Sequence, residues 1–318
     1  MRIATLLPSA TEIVCALGLA GDIVAVTHEC DYPPEIRGRP VAVRPLIDAA
    51  APSREIDAEV VGALSRGEPL YRIDLDVLAA ARPDLLITQD LCDVCALPSL
   101  DVEAVAARLP GPPSVLRLHP HTLDDILRDI LTVGDAARRG DAARRTVGRL
   151  RDRIVAVEHA VRDRPRPGVF CMEWLDPPFC GGHWMPEIVE RAGGREVLGR
   201  HGRPSFRVEW DEIARAVPDV VVLTVCGFDV ARTIGELGAI AARPEWRGLP
   251  AVASDRVYAT DANSFFSRSG PRVVDGMEIL AAILHPDAAV SAAPPGAWTR
   301  VTGDTVGPAV PHAGEADG

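Results

Sequence analysis

Short runs of aliphatic and β-branched residues recur along this chain, and between them apolar positions return every three or four residues. That alternation predicts parallel strands joined by crossover helices. In the first part of the chain it places strands at Ile3 to Leu7, Ile23 to Thr27, Leu85 to Thr88 and Val115 to Leu118. Helices are expected between them. One is Ala10 to Leu17, with Ser9 and Glu12 at the spacing of a capping box, and another is Leu75 to Ala81, stopped by Pro83.

From Thr122 to Arg164 no strand interrupts the helical spacing, and Gly140 is expected to divide it into two helices. The second, Asp141 to about Val161, is long and runs into the breaker cluster RPRP. Strands resume at Val169 to Met172, Val220 to Val225 and Val257 to Ala259, with helices at Trp184 to Ala192, Glu209 to Ala216, Ala231 to Ala242 and Pro271 to Leu284. The expected organisation is an N-terminal α/β lobe (1–137), a bridging helix (138–164), a C-terminal α/β lobe (165–287) and a flexible Gly/Pro/Ala-rich tail (288–318). DVLAAARPDLLI (Asp76 to Ile87) and DEIARAVPDVVV (Asp211 to Val222) share Asp, Ala, Ala, Pro and Asp in register. The match points to pseudo-symmetric lobes, although any α/β protein can repeat a helix, Pro-Asp and a strand.

A chain of 318 residues is long enough for two such lobes. Its formal charge of -11 argues against a nucleic-acid partner, which favours a basic face, and leaves small molecules as the expected ligands. The opening apolar run stops at Pro8, too short for a signal h-region, and no later run approaches the roughly 18 apolar residues of a membrane span. The chain therefore reads as cytoplasmic. In that compartment the cysteines are expected as thiols or metal ligands rather than disulfides.

Open parallel sheets bind ligands outside the carboxyl ends of their strands, so the loops there carry the candidate chemistry. Thr27 leads into His28, Glu29, Cys30, Asp31 and Tyr32; Thr88 leads into Asp90, Cys92, Asp93 and Cys95. Met172 leads into Glu173, Trp174, Phe179, Cys180, His183 and Trp184; Val225 leads into Cys226 and Phe228. Soft and borderline donors thus gather at four strand ends, two in each lobe, as expected of the lining of a ligand cleft between lobes. Each is ambiguous alone: CxxC lacks the second pair of a structural zinc site, and His28 and His183 also fit hydrogen-bonded structural roles. Cys15 and Cys171 read as core. Trp174, Phe179, Trp184, Phe228, Phe265 and Phe266 fall in presumed loops, where they would either plug lobe ends or stack on a large flat ligand. Arg268 and Arg272, in SRSGPR, would pair with a ligand carboxylate or phosphate, or simply be solvated.

LLPSATEIVCALG, DYPPE (Asp31 to Glu35), RPDLLIT, DPPFCGG (Asp176 to Gly182), RAGG and RSGPRVVDGMEIL appear in one order over about residues 2–286. This set resembles the substrate-binding proteins with a rigid bridging helix that serve ABC importers of vitamin B12, ferric siderophores and haem, the vitamin B12 branch above all. The resemblance implies two Rossmann-like α/β lobes with mostly parallel sheets and a corrinoid held in the cleft. It implies ligand contacts from Tyr32 to Pro34, Glu173 to Gly182 and Ser264 to Arg268, and permease docking through Asp76 and Asp211, positions that N-terminal helix capping explains equally well.

Without a leader, and with added thiols, imidazoles and a tail, the chain departs from exported carriers. The leading expectation is thus a non-enzymatic cytoplasmic corrinoid-binding protein, a carrier or sensor or an ABC-importer-related component whose partner is encoded elsewhere, with cobalamin or a related metal-bearing ligand bound by Tyr32, Glu173, Trp174, Phe179, Trp184, Phe228, Phe265, Phe266 and Arg268. The second is a zinc, iron or copper protein or enzyme ligated by His28, Cys30, Cys92, Cys95, Cys180, His183 and Cys226, with Glu29 or Glu173 as general base. A redox protein using Cys92 and Cys95 is the third.

Overall fold

A computed structural model describes residues 1–89, 102–291 and 293–302. The chain forms two compact units, Met1–Ala156 with Arg268–Asp275, and Val157–Ser267 with Gly276 onward. The boundary at Ala156/Val157 falls inside one 22-residue helix, Gly140–Val161, the bridging helix expected from the sequence.

In the first unit, β1 (Ile3–Thr5), β2 (Ile23–Thr27), β3 (Val41–Pro45), β4 (Tyr71–Ile73), β5 (Leu85–Gln89) and β6 (Ser114–Leu118) form a sheet in the order β4-β3-β2-β1-β5-β6. All pairs are parallel except the edge pair β3–β4. Ile3, Ala4, Ile23, Ala25, Leu86 and Ile87 are fully buried, which is why the central strands read as continuous aliphatic runs rather than as an alternation. The order reverses between β1 and β5, making the carboxyl ends of these two strands the topological switch point of this sheet.

The first helix, Pro8–Ala16, leaves β1 at that point. Its N-cap is Leu7, whose side chain caps nothing, and Pro8 occupies the first turn, where a missing N–H is harmless. The capping box expected of Ser9 and Glu12 is therefore absent, because both side chains are engaged elsewhere. Further on, the helix Leu123–Ala136 does begin with a capping box, between Thr122 and Asp125, and Gly140 opens the long helix as expected.

The second unit has a seven-stranded sheet from β7 (Gly168–Trp174), β8 (Phe179–Cys180), β9 (Arg195–Glu196), β10 (Phe206–Arg207), β11 (Val220–Leu223), β12 (Val257–Thr260) and β13 (Trp298–Val301). The order is β10-β8-β7-β11-β12-β13, with β9 beside β7. β7, β11 and β12 are parallel; β8, β10 and β13 are antiparallel additions. Phe170, Met172, Val221, Leu223, Phe228 and Trp246 form the core against it. β13 corrects the expected flexible tail: Trp298–Val301 pairs with β12 in register, and Trp298 packs edge-on against Tyr258 at 5.6 Å between centroids. The helix expected over Ala231 to Ala242 is two, Val230–Glu236 and Gly238–Ala241.

Candidate functional site

In the first unit, the switch point is occupied by the chain's own Arg268–Asp275 segment. Ser269 Oγ donates to Gln89 Oε1 at the end of β5 (3.1 Å) and lies 3.3 Å from Ser9 Oγ at the start of the first helix, whose hydroxyl can donate to it. Arg268 is 6% exposed; its Nη1 donates to Glu12 Oε1 (3.1 Å) and Asp31 Oδ1 (2.7 Å), and its Nη2 to the Glu29 carbonyl (3.1 Å). Arg272 clamps the same buried carboxylate from the other side, Nε to Glu12 Oε2 (2.9 Å) and Nη2 to Glu12 Oε1 (2.6 Å). Two guanidinium groups thus meet two carboxylates, so the charges balance where burial would otherwise make them costly. Burial alone would push the Asp31 carboxyl up, but the hydrogen bond and charge of Arg268, helped by Arg272, outweigh it and hold it below its ordinary value.

This corrects two expectations. Arg268 is saturated by protein groups rather than offered to a ligand, and Arg272 is not merely solvated. On the outer side of Arg272 lies Tyr32, its ring centroid 3.9 Å from the guanidinium carbon. Tyr32 is 43% exposed, the one exposed aromatic among the described residues, and the network fixes its orientation.

Beside it, His28 Nδ1 lies 3.2 Å from the Val43 carbonyl, a contact that needs a proton on Nδ1, and Nε2 lies 3.9 Å from Glu29 Oε1. His28, Glu29 and Tyr71 line a small concavity of about 30 Å³ with Leu6, Leu7 and Pro8. Cys30 turns away: its Sγ is 3.0 Å from Thr11 Oγ1, and burial pushes the thiol above its ordinary value, the wrong direction for a metal-binding thiolate. Cys15 is half-buried rather than core.

In the second unit, Glu173 Oε2 accepts the Gly182 N–H (3.0 Å), and the Glu173 carbonyl accepts the Cys226 N–H (3.0 Å), so Glu173 braces the loops after β7 and β11 rather than standing free as a base. Trp174 packs on Phe228 at 5.4 Å between centroids, and both Trp174 and Phe179 keep partial exposure. Trp184, Phe228, Phe265 and Phe266 are buried, and the Trp184 indole N–H donates to the Phe266 carbonyl (3.0 Å). Four of the expected stacking aromatics are therefore buried rather than exposed for stacking, and Phe228 belongs to the core against the sheet. Cys180 is fully buried and pushed up to about 12 by burial, with Sγ 3.5 Å from the Phe206 carbonyl. His183 is buried beside Trp184, in left-handed backbone (φ 52°) fixed by bonds to Arg203 and Gly202. Cys226 is half-buried.

The expected metal set is not assembled. Among the described residues no three His, Cys, Asp or Glu side chains are placed to hold a metal ion. Cys92 and Cys95, with Asp90 and Asp93, lie outside the described residues. Asp76 and Asp211 are both exposed in first helical turns, but neither is the cap: Asp74 caps Leu75–Ala81, and Glu209 with Glu212 forms the capping box of Trp210–Ala216.

Two roles escaped the sequence reading. Glu12, expected in a capping box, is the buried anchor of the arginine network, and its signal was a carboxylate on an otherwise apolar helix face. Glu196 is pushed up to about 7 by burial, although Oε1 accepts three N–H groups, from Val197, Leu198 and Gly199, at 3.0–3.1 Å.

A family model described as periplasmic binding protein matches residues 3–264. An uncharacterised ABC transporter substrate-binding lipoprotein of Bacillus subtilis, YvrC, is 22% identical over 298 residues, covering 90% of this chain and 80% of its own. The vitamin B12-binding protein of Vibrio cholerae is 23% identical over 285 residues, covering 87% and 86%. A periplasmic heme-binding protein from Pseudomonas aeruginosa superposes with a TM-score of 0.67 at 20% identity, over 94% of this chain and 99% of that one, which shows the two-lobed fold. These matches overturn the cytoplasmic expectation, since a periplasmic family and a substrate-binding lipoprotein both work outside the cytoplasm. No helix among the described residues is long and apolar enough to cross a membrane.

Proposed function

Because the chain belongs to the periplasmic binding protein family, we infer that it is the substrate-binding component of an ABC importer and that its ligand is a corrinoid of the cobalamin type. The observation that carries this reading is Tyr32. It is an exposed aromatic face at the carboxyl-end side of β2, resting against Arg272, which a buried ion network holds in place. A preorganised ring of this kind binds a large planar macrocycle at little entropic cost. Partly exposed Trp174 and Phe179 offer the second unit's aromatic surface, and His28 Nε2, Glu29 and the exposed side of Asp31 supply polar partners for the carboxamide fringe of a corrinoid. The likeness to vitamin B12-binding relatives supports the same ligand.

Contact with a permease runs through Asp76 and Asp211. Both are exposed first-turn acids, and the caps of their helices are Asp74 and Glu209, which supports a surface role for the two aspartates beside their favourable place at helix N-termini. The test is titration of the purified protein with cyanocobalamin and, in parallel, haemin, followed by absorbance and tryptophan quenching. Saturable cobalamin binding that weakens in Tyr32→Ala is expected. Preference for haemin reassigns the ligand, and binding of neither rejects the reading.

A further inference from the structure

Between Gly134 and Arg145 the chain reads GDAARRGDAARR, the same six residues twice. The first copy ends the helix Leu123–Ala136 and the second opens Gly140–Val161. Both copies surround one surface concavity of about 400 Å³, lined by Arg138, Arg139, Arg144 and Arg145 with Asp135 and Asp141. The glycines make this packing possible. A Cβ on Gly134 would overlap that of Ala143, and one on Gly140 would stand 2.9 Å from Asp135 Oδ1 and 3.3 Å from Arg144 Nη1.

The turn between the copies is closed by Arg139 N–H to the Gly134 carbonyl (2.6 Å) and Arg138 N–H to the Asp135 carbonyl (3.1 Å), the bonds of a Schellman motif. Such a turn normally has glycine in its left-handed position, yet Arg138 sits there at φ 56°. Arg144 is engaged by Asp141 at 2.6 Å. The side chains of Arg138, Arg139 and Arg145 make no hydrogen bond or ion pair among the described residues. Four arginines against two aspartates around one concavity, with three of the guanidinium groups outside any hydrogen bond or ion pair among the described residues, form a locally cationic cup in a chain of net charge -11.

We propose that this concavity is a second binding site, for a phosphate group. The planar fork of arginine matches phosphate oxygens two at a time, and several forks lining one hollow suit a multiply charged anion better than a single carboxylate. The site is separate from the loops at the strand carboxyl ends: the helix Leu123–Ala136 starts there and rises about 18 Å from Leu123 to Asp135, where the cup begins. The inference does not depend on the corrinoid reading. Its phosphate belongs either to a free anion or to a lipid headgroup, and the chemistry is the same.

The full-length protein is titrated calorimetrically with pyrophosphate at constant ionic strength and, separately, co-sedimented with phosphatidylcholine vesicles containing phosphatidic acid. Two variants are compared, Arg139→Ser/Arg145→Ser and Arg138→Gly. Saturable pyrophosphate binding that weakens about tenfold or more in both variants is expected. Arg138→Gly should melt at or above the parent's temperature, because glycine suits the left-handed position; a purely structural arginine would leave binding unmoved. Binding to the vesicles alone, with the same loss in the variants, assigns the phosphate to a headgroup. No saturable binding to either probe, or binding that persists in Arg139→Ser/Arg145→Ser, overturns the proposal.

Discussion

Arg268 Nη1 donates to Glu12 Oε1 at 3.1 Å, joining positions 256 residues apart in the sequence, with both side chains almost withdrawn from solvent. The contact ties the segment after Ser267 to the first helix of the chain and holds the base on which Arg272 and Tyr32 rest. Removing one member of a buried pair leaves an uncompensated charge, so Glu12→Ala is expected to cost about 3–5 kcal/mol of stability. Arg268→Lys should also destabilise, by about 1–3 kcal/mol, because one ammonium cannot reach Glu12, Asp31 and the Glu29 carbonyl together. Urea denaturation monitored by tryptophan fluorescence checks both, and unchanged midpoints would refute the network's structural role.

Stability should fall as pH rises through the slightly acidic range. Glu196 is pushed up to about 7 from an ordinary 4.5, and Asp129 up to about 7 from 3.8, in both cases chiefly by burial. Between the ordinary and shifted values the folded chain retains protons that the unfolded chain releases, so these groups progressively destabilise the fold up to about pH 7 and no further above it. Melting temperatures measured from pH 5 to 8 should decline and then level. Glu196→Gln, which keeps an oxygen acceptor for the three N–H groups, should flatten the decline. A parent profile that rises across this window contradicts the assignment.

The indole of Trp184 is predicted to act as a brace rather than as a ligand contact. Trp184→Phe removes the donor to the Phe266 carbonyl and should cost about 1–3 kcal/mol while leaving cobalamin affinity within about twofold. Trp174→Ala, at a partly exposed ring, should show the opposite balance. Paired unfolding and binding curves on both variants separate the two roles.

If Asp76 and Asp211 make the permease contact, charge reversal should abolish transport stimulation without touching ligand binding. Asp76→Lys/Asp211→Lys is expected to bind cobalamin as the parent does, because both residues are exposed and neither caps its helix. Stimulation of the partner importer's ATPase in proteoliposomes measures the loss, and full stimulation by the double variant would reject the contact.

Much of this was legible in the sequence, for identifiable reasons. Strands buried on both faces, such as Ile23–Thr27, give unbroken aliphatic runs, and Gly140 marks a real helix junction. β3 (Val41–Pro45) and β13 (Trp298–Val301) escaped because each lies near proline or glycine and includes an exposed arginine that breaks the apolar pattern. At the site, residue types near strand ends were found, but their engagement was not. Arg268 is an exposed-looking arginine in the sequence and becomes a buried one only because Glu12, hundreds of positions away, faces it. Phe265 and Phe266 looked like loop aromatics and are instead buried. Such long-range pairings leave no local signature, and the cytoplasmic reading failed because it rested on the opening residues alone.

The central claim is that Tyr32, fixed on Arg272, offers the face that receives a corrinoid. Equilibrium titration with cyanocobalamin of the parent, Tyr32→Ala and Tyr32→Phe tests it directly. Parent and Tyr32→Phe should bind alike, with Tyr32→Ala weaker by about tenfold or more, equivalent to the roughly 1–3 kcal/mol of one stacked aromatic. Equal affinity in all three, or no saturable binding by the parent, would contradict the account.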